Sequence, residues 1–393
     1  MATEQLPRLA SRTTPIQDSK IRYMFDLAEE LGGDLVRLEI GIPDFNTPEH
    51  VIDAAAEAAH GGATTYTTGS GIPELREAIA DRSRELHDLE LDPATEIEAT
   101  VGGMEAIYLA FLTLAEEGSE VIVPSPAWPN YVMMIHLADA HPVEVPLPAE
   151  DGFDLDPDLI IEHMSADTDV VVINSPSNPT GRVYDTDDVQ AVVEAAADYD
   201  AYVIADEVYK SLTFDGPQES LLSLLDYPEH MLHVNSASKQ FAMTGWRIGW
   251  LAGPEPVMET VAKIHPATVS CAPSISQHAA LAAITGPQDP FEDMVEAFRE
   301  RRDYVAQRAS DLSHVDCARP EGAFYAFLDV SAFEGNDLEI AERLAREYGV
   351  ITAPGSGFGA GGEGFIRLSY ANSLERLEEG FDRIEQMIAA ELD

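Results

Sequence analysis

Between residues 97 and 285 the chain repeats one pattern: a short run of β-branched and apolar residues, a polar turn, then a stretch of helical periodicity. EIEATV is followed by MEAIYLAFLTLAEEG, EVIVPSP by YVMMIHLADA and VVVINSP by VQAVVEAAADYD, and AYVIADE, MLHVNSAS and RIGWLAG close the series. Strands that alternate with helices in this way build a parallel sheet covered by helices. VVVI and YVIA are apolar at every position, as strands buried on both faces must be. The expected fold is α/β, a large domain with a mostly parallel sheet flanked by helices, beside a smaller α+β domain.

The smaller domain is expected where the pattern changes. After about residue 290 come a long charged helix (FEDMVEAFRERRDYVAQRASDL), two strand-like pieces (GAFYAFLDV and GFIRLSYA) and a terminal helix. The first forty or so residues are expected to pack with that unit, because PDFNTP (43–48) is a turn-rich break before the helix VIDAAAEAAH. The division expected is 1–45 as an N-terminal arm and part of the small domain, 46–285 as the large domain and 286–393 as the small C-terminal domain, reasonable for 393 residues.

Charge narrows the possible partners. Asp and Glu number 71 against 23 Lys and Arg, a net charge of −48 that repels polyanions and so excludes nucleic acid and anionic membrane. Acidic residues recur from Glu4 to Asp393 while the hydrophobic fraction stays at 45%, so the acidity belongs to a folded surface and not to a disordered tail. The lysines are Lys20, Lys210, Lys239 and Lys263 alone. Such a surface suits concentrated salt, which screens self-repulsion, and points to a halophilic source. Cys271 and Cys317 read as buried free thiols, without the spacing of a zinc site or a disulfide framework. The eleven histidines include no HExxH or HxxxH and read as scattered surface positions. No secretory h-region or membrane-length apolar run is present, so a soluble cytoplasmic protein is expected.

In an open parallel sheet, ligands sit beyond the carboxyl ends of the strands. After EIEATV comes Gly102-Gly103-Met104, opening a helix whose free N–H groups would hold an anion such as phosphate. After VVVI comes Asn178, after YVIA come Asp206, Glu207 and Tyr209, and after MLHV come Ser236, Ser238 and Lys239, with Arg247 eight residues on. Lysine as a nucleophile implies a Schiff base to a carbonyl. An aldehyde cofactor with a pyridine nitrogen and a phosphate would use every group. Lys239 would take the aldehyde, Asp206 the pyridinium, Asn178 and Tyr209 the ring hydroxyl, and Ser236, Ser238, Arg247 and the Gly103–Met104 helix start the phosphate. Pyridoxal 5'-phosphate is that cofactor. Lys239, freed by exchange with the substrate amine, would then be the general base on the α-proton.

PDFNTP (43–48), YTTGSGIPELREAI (66–79), SPSNPTG (175–181), ADEVY (205–209), SASKQFAMTGWRIG (236–249) and FIRLSYA (365–371) occur in this order over nearly the whole chain. In these motifs the sequence resembles the class I and II, fold-type I, pyridoxal-phosphate aminotransferases. The resemblance implies that Trp128 of PAWPNY stacks on the pyridine and that Arg367, aided by Asn178 and the backbone at Gly41, binds the substrate α-carboxylate. It further implies that Tyr66 reaches the phosphate of a neighbouring subunit in a homodimer with shared active sites. Lys239, Asp206 and Tyr209 would be the catalytic set. The reaction implied moves an amino group from an amino acid to a 2-oxo acid, 2-oxoglutarate by resemblance.

Other readings stand beside these. Asp206 and Glu207 could be a helix N-cap pair, and Glu207 stays unassigned; Trp128 could be a core aromatic, and Arg367 could pair with a carboxylate. SASK also fits the SxxK of serine acyl enzymes, but SDN and KTG are absent. GFGAGG (357–362) fits GxGxxG yet precedes a strand, so it reads as a turn. The same Lys and Asp machinery would serve a β-elimination lyase, and a non-catalytic sensor would need a DNA-binding module for which the chain has no basic segment. Some aspartate-using members carry Lys where this chain has Met104. That departure, with Trp128, Ile16 and Ile42 as pocket walls, tilts the donor toward apolar or aromatic amino acids, with the 265–274 loop of a partner as a further source of specificity.

Overall fold

The computed structural model describes residues 10–216, 220–224 and 228–392. A short strand, β1 (Val36–Arg37), stands apart from the main sheet. That sheet has seven strands: β2 (Ile97–Thr100), β3 (Glu120–Ser125), β4 (His141–Pro146), β5 (Thr168–Asn174), β6 (Tyr202–Asp206), β7 (Met231–Ser236) and β8 (Gly249–Ala252). Their order is β2-β8-β7-β6-β5-β3-β4. Only β8 runs against its neighbours, β2 and β7, and the other pairings are parallel.

Alternation along β5 shows why its run is apolar throughout. Val171 and Ile173 join one core cluster, while Val170 and Val172 join another on the opposite face, each fully or almost fully buried. From β3 the chain steps outward to β4 and then returns across β3 to β5, so the connections reverse direction there. Such a reversal opens a crevice at the carboxyl ends of the strands. Trp128 follows β3 and Asn178 follows β5 at that place.

Four strands, β9 (Asp316–Cys317), β10 (Tyr325–Asp329), β12 (Ala353–Pro354) and β13 (Phe365–Ser369), form an antiparallel sheet in the order β12-β13-β10-β9. The N-terminal segment joins this unit: β1 pairs in parallel with β11 (Val350–Ile351), and the Ser369 amide donates to Leu38 O at 2.7 Å. Met24, Leu27 and Leu38 accordingly share a core with Phe298, Phe324 and Phe381 from the C-terminal elements. GFGAGG lies in two short helical turns before β13, as expected of a turn.

Three expectations are corrected. His233 and His265 are buried, not surface, residues, because each is engaged by a buried carboxylate. Cys271 and Cys317 are free but only half-buried. His265 to Thr268 are the last turn of the helix Glu255–Thr268 and not a loop, and His265 is sealed within its own subunit. Among the described residues no helix is long and apolar enough to cross a membrane.

Candidate active site

Every predicted site residue except Tyr66 lines one cavity of about 470 Å³ between the carboxyl ends of β5, β6 and β7 and the face of the second sheet. Asp206 and Ser236 are the last residues of β6 and β7, so strand geometry delivers both side chains to the same edge. Arg367 comes from mid-strand in β13, opposite Phe327 of β10, and is 3% exposed.

Lys239 lies centrally, its Nζ donating to Gly41 O at 2.5 Å. A methyl group at residue 41 would collide with the Tyr325 hydroxyl, so the backbone approach that Lys239 uses depends on glycine. Burial, then the charges of Arg367 and Arg247, pull the Lys239 ammonium down to about 7 against the opposing pull of Asp206. The amine is therefore substantially free near neutral pH. Asp206 accepts from the Tyr131 hydroxyl at 2.5 Å and from the Val208 amide at 3.3 Å. Burial raises its carboxyl to about 6 although both hydrogen bonds oppose the rise. Asn174 donates to Asp206 O at 2.9 Å and accepts the Asn178 amide at 2.9 Å, fixing one strand end to the next. The hydroxyls of Tyr209 and Tyr325 meet at 2.9 Å.

One end of the cavity gathers two serine hydroxyls, a helix start and a guanidinium, a set of donors that can hold an anion. Ser236 caps the short helix Ala237–Gln240, accepting the Ser238 amide at 3.1 Å, and its hydroxyl lies 2.9 Å from that of Ser238. Arg247 reaches across to Val101 O at 3.4 Å, against the glycine turn that starts the helix Gly103–Leu114. Gly102 has φ +77°, and a methyl group there would lie 2.8 Å from Arg247 Nη2. At the other end Arg367 donates to Asn178 Oδ1 at 3.0 Å and to Glu39 O at 2.6 Å, while its Nε is buried with no hydrogen-bond partner. In so acidic a protein, neither Arg247 nor Arg367 forms an ion pair with a carboxylate among the described residues. Two guanidinium groups left free of carboxylates fit a ligand that brings its own anions at both ends.

Of the residues weighed in the sequence, Tyr66, Ile16 and Glu207 do not line the cavity. Tyr66 is 85% exposed and outside this cavity. Ile16 does not line it, whereas Ile21 and Phe25 of the helix Lys20–Leu31 do, with Ile42, Met104 and Trp128. Glu207, fully buried, faces away from the cavity: its Oε2 is 2.8 Å from His233 Nε2 and accepts Ser220 Oγ at 2.7 Å, and its Oε1 accepts the Leu221 amide at 3.0 Å. Burial would push it up, but the Lys210 and His233 charges and the hydrogen bonds hold it at about 2. Tyr131, Asn174 and Tyr325 are the site residues that sequence reasoning missed. Tyr131 stands one helical turn after Trp128, a spacing that was available as a signal; Tyr325 sits in GAFYAFLDV, where nothing distinguishes it from a core aromatic.

A mostly parallel sheet with a buried lysine, a strand-end aspartate and a guanidinium without an ion pair at each end of the cavity fits a pyridoxal-phosphate enzyme of fold type I, and comparison with known proteins is more specific. Residues 33–384 match the model of the family described as aminotransferase class I and II, and the chain belongs to that family. It is 36% identical to the aromatic-amino-acid aminotransferase 2 of Thermococcus litoralis, over 97% of this chain and 98% of that protein. It is likewise 36% identical to the aspartate aminotransferase of Pyrococcus horikoshii, over 98% of each chain. The solved structure of the Thermus thermophilus aspartate aminotransferase with maleate superposes with a TM-score of 0.92 at 38% identity, covering 97% of this chain and 100% of that one. The protein is an aminotransferase dependent on pyridoxal phosphate, acting on amino acids and 2-oxo acids.

Proposed function

We propose that this enzyme takes the α-amino group of an apolar or aromatic amino acid and delivers it to 2-oxoglutarate, with Lys239, Asp206 and Arg367 as its working residues. The observation that carries the reading is that these three side chains open on one cavity whose lining includes the apolar Ile21, Phe25, Ile42, Met104 and Trp128, beside Arg22 and Asn130. Bound pyridoxal phosphate supplies an aldehyde that takes up the amino group and a ring that draws electrons from the substrate α-carbon.

The chain's residues supply the rest. Gly103, Met104, Ser236, Ser238 and Arg247 would hold the phosphate; Asp206 would pair with the ring nitrogen, Asn178 and Tyr209 would bond the ring hydroxyl, and Trp128 would stack on the ring. Arg367, with Asn178 and the backbone at Gly41, holds the substrate carboxylate. Lys239 Nζ, poised near neutral pKa, removes the α-proton and gives it back. Tyr66 projects from the surface, and its exposure supports a role in the phosphate site of a second copy in a homodimer. The chain is divided at about residues 45 and 285 into arm, large domain and small domain, and works in the cytoplasm of a halophile.

The test is a half-reaction screen. Each of the twenty amino acids is mixed with cofactor-loaded enzyme, and loss of the absorbance of the lysine-bound cofactor is followed. Phenylalanine, tyrosine or leucine should react faster than aspartate; an aspartate rate above all of these would overturn the donor assignment. Sedimentation equilibrium giving a monomer would overturn the shared site.

A further inference from the structure

Behind the glycine turn that starts the helix Gly103–Leu114 lies a buried cluster with no part in the roles assigned above. His265, without exposure, holds its Nδ1 2.6 Å from Glu98 Oε1 of β2 and its Nε2 3.4 Å from Glu105 Oε2. Glu105 Oε2 also accepts the Val101 amide at 2.6 Å, and Glu105 Oε1 accepts the Thr268 hydroxyl at 3.0 Å. Of the two carboxylates facing His265, Glu105 is thus the one that fixes Val101, whose carbonyl receives Arg247.

This arrangement poses an electrostatic problem. Two carboxylates stand directly behind the turn that, on the proposed reading of the site, seats a phosphate dianion, and burial leaves them poorly screened. A neutral imidazole bonded to Glu98 through Nδ1–H would turn its Nε2 lone pair toward Glu105, whereas an imidazolium bonds Glu98 and sets its positive charge 3.4 Å from Glu105, where Nε2 has no hydrogen-bond partner. We propose that His265 is a positioning residue for the phosphate-binding turn: an imidazolium that balances Glu98 and Glu105, so that Glu105 can hold the Val101 amide without repelling the anion at Gly103.

Burial pulls the ring down, but the two carboxylates, Glu105 and Glu98, outweigh it and lift His265 to about 9. Burial likewise pushes Glu105 up, and the bonds from His265 and the Val101 amide hold it below its usual value. The charged groups facing the ring are Glu98 from β2 and Glu105 from the helix Gly103–Leu114. As pH rises through about 9 the cluster loses the positive charge of His265, and anion affinity should fall.

The probe is pyridoxine 5'-phosphate, which lacks the aldehyde and so leaves Lys239 out of the measurement. Its dissociation constant for the cofactor-free full chain is titrated from about pH 7.5 to about pH 10.5. The parent should weaken about tenfold, equivalent to about 1.4 kcal/mol, with a midpoint near 9. His265→Gln should bind about tenfold more weakly at pH 7.5 and lose the step, and Glu98→Gln/His265→Gln, which restores the charge balance, should recover most of the affinity. A parent affinity that stays flat to high pH overturns the proposal, whether or not the variant folds. Arg247→Gln separates the two layers of the argument. If it weakens the probe while His265→Gln binds like the parent, the role of His265 falls alone. If Arg247→Gln itself binds like the parent, the phosphate reading of the turn falls, and the proposal with it.

Discussion

The hydroxyl of Tyr131 stands 2.5 Å from Oδ2 of Asp206, and both residues are sealed from solvent. Burial alone would favour a neutral Asp206, which could not stabilise a protonated ring nitrogen; the Tyr131 donor favours the anion. Tyr131 is itself pushed well above 10 by burial and by the Asp206 charge, so it stays a donor.

Tyr131→Phe removes that donor and little volume. A hydrogen bond to a charged group contributes about 1.5–3 kcal/mol, so kcat should fall on the order of tenfold or more. The sign for pH follows from the lost bond: the Asp206 carboxyl rises further, and the acid limb of the kcat/KM profile moves to higher pH. A profile that superposes on the parent's would contradict the role given to the pair.

Lys239 titrates near 7 in the cofactor-free chain because it is buried among Arg367 and Arg247. Only the unprotonated amine attacks an aldehyde. Stopped-flow absorbance should therefore show capture of pyridoxal phosphate accelerating as pH rises through about 7 and then levelling, far below the range of an ordinary lysine. Acceleration that continues toward pH 10 would mean that the amine is not depressed. Lys239→Ala should bind the cofactor without the lysine-bound absorbance and show no turnover.

Arg367 offers its unpartnered Nε from a fixed plane, held by Asn178 Oδ1 and Glu39 O. Lysine cannot reproduce that planar fork, so Arg367→Lys should raise KM for amino acids by about ten- to a hundredfold while binding of pyridoxal phosphate stays within about twofold. Equal losses for cofactor and substrate would mean that Arg367 shapes the whole cavity instead of one ligand end.

The parts of this site that sequence displays are those that one strand end fixes alone. Asp206, Ser236 and the Gly102–Gly103 turn follow apolar runs, and a run of that kind already decides which way the next residues face. Tyr325 and Arg367 were harder: they reach the cavity from a second sheet, so their relevance depends on how two units pack, and only a family motif flagged Arg367. His265 was misread because a histidine in a helix carries no sign of the buried carboxylates awaiting it, Glu98 lying 167 residues away in sequence. Glu207 stayed open because residues 206 and 207 adjoin in sequence, but at the end of β6 their side chains face different surroundings, Asp206 the cavity and Glu207 His233.

The acidity of the chain gives a last expectation. Surface pairs such as Arg22 with Asp26 at 2.9 Å and Arg84 with Asp81 are exposed, and such pairs contribute about 0–1 kcal/mol each. With 23 basic residues against 71 acidic ones, most carboxylates have only one another as charged neighbours. Added salt weakens both effects, but repulsion among the excess carboxylates is the larger sum, and shortening the Debye length from about 10 Å at 0.1 M to about 3 Å at 1 M relieves it between all but adjacent groups. Calorimetric melting of the cofactor-loaded enzyme should therefore show Tm rising by several degrees between dilute and molar KCl. A Tm that holds or falls over that range would show that the paired arginines outweigh the net charge, and that this surface is not adapted to salt.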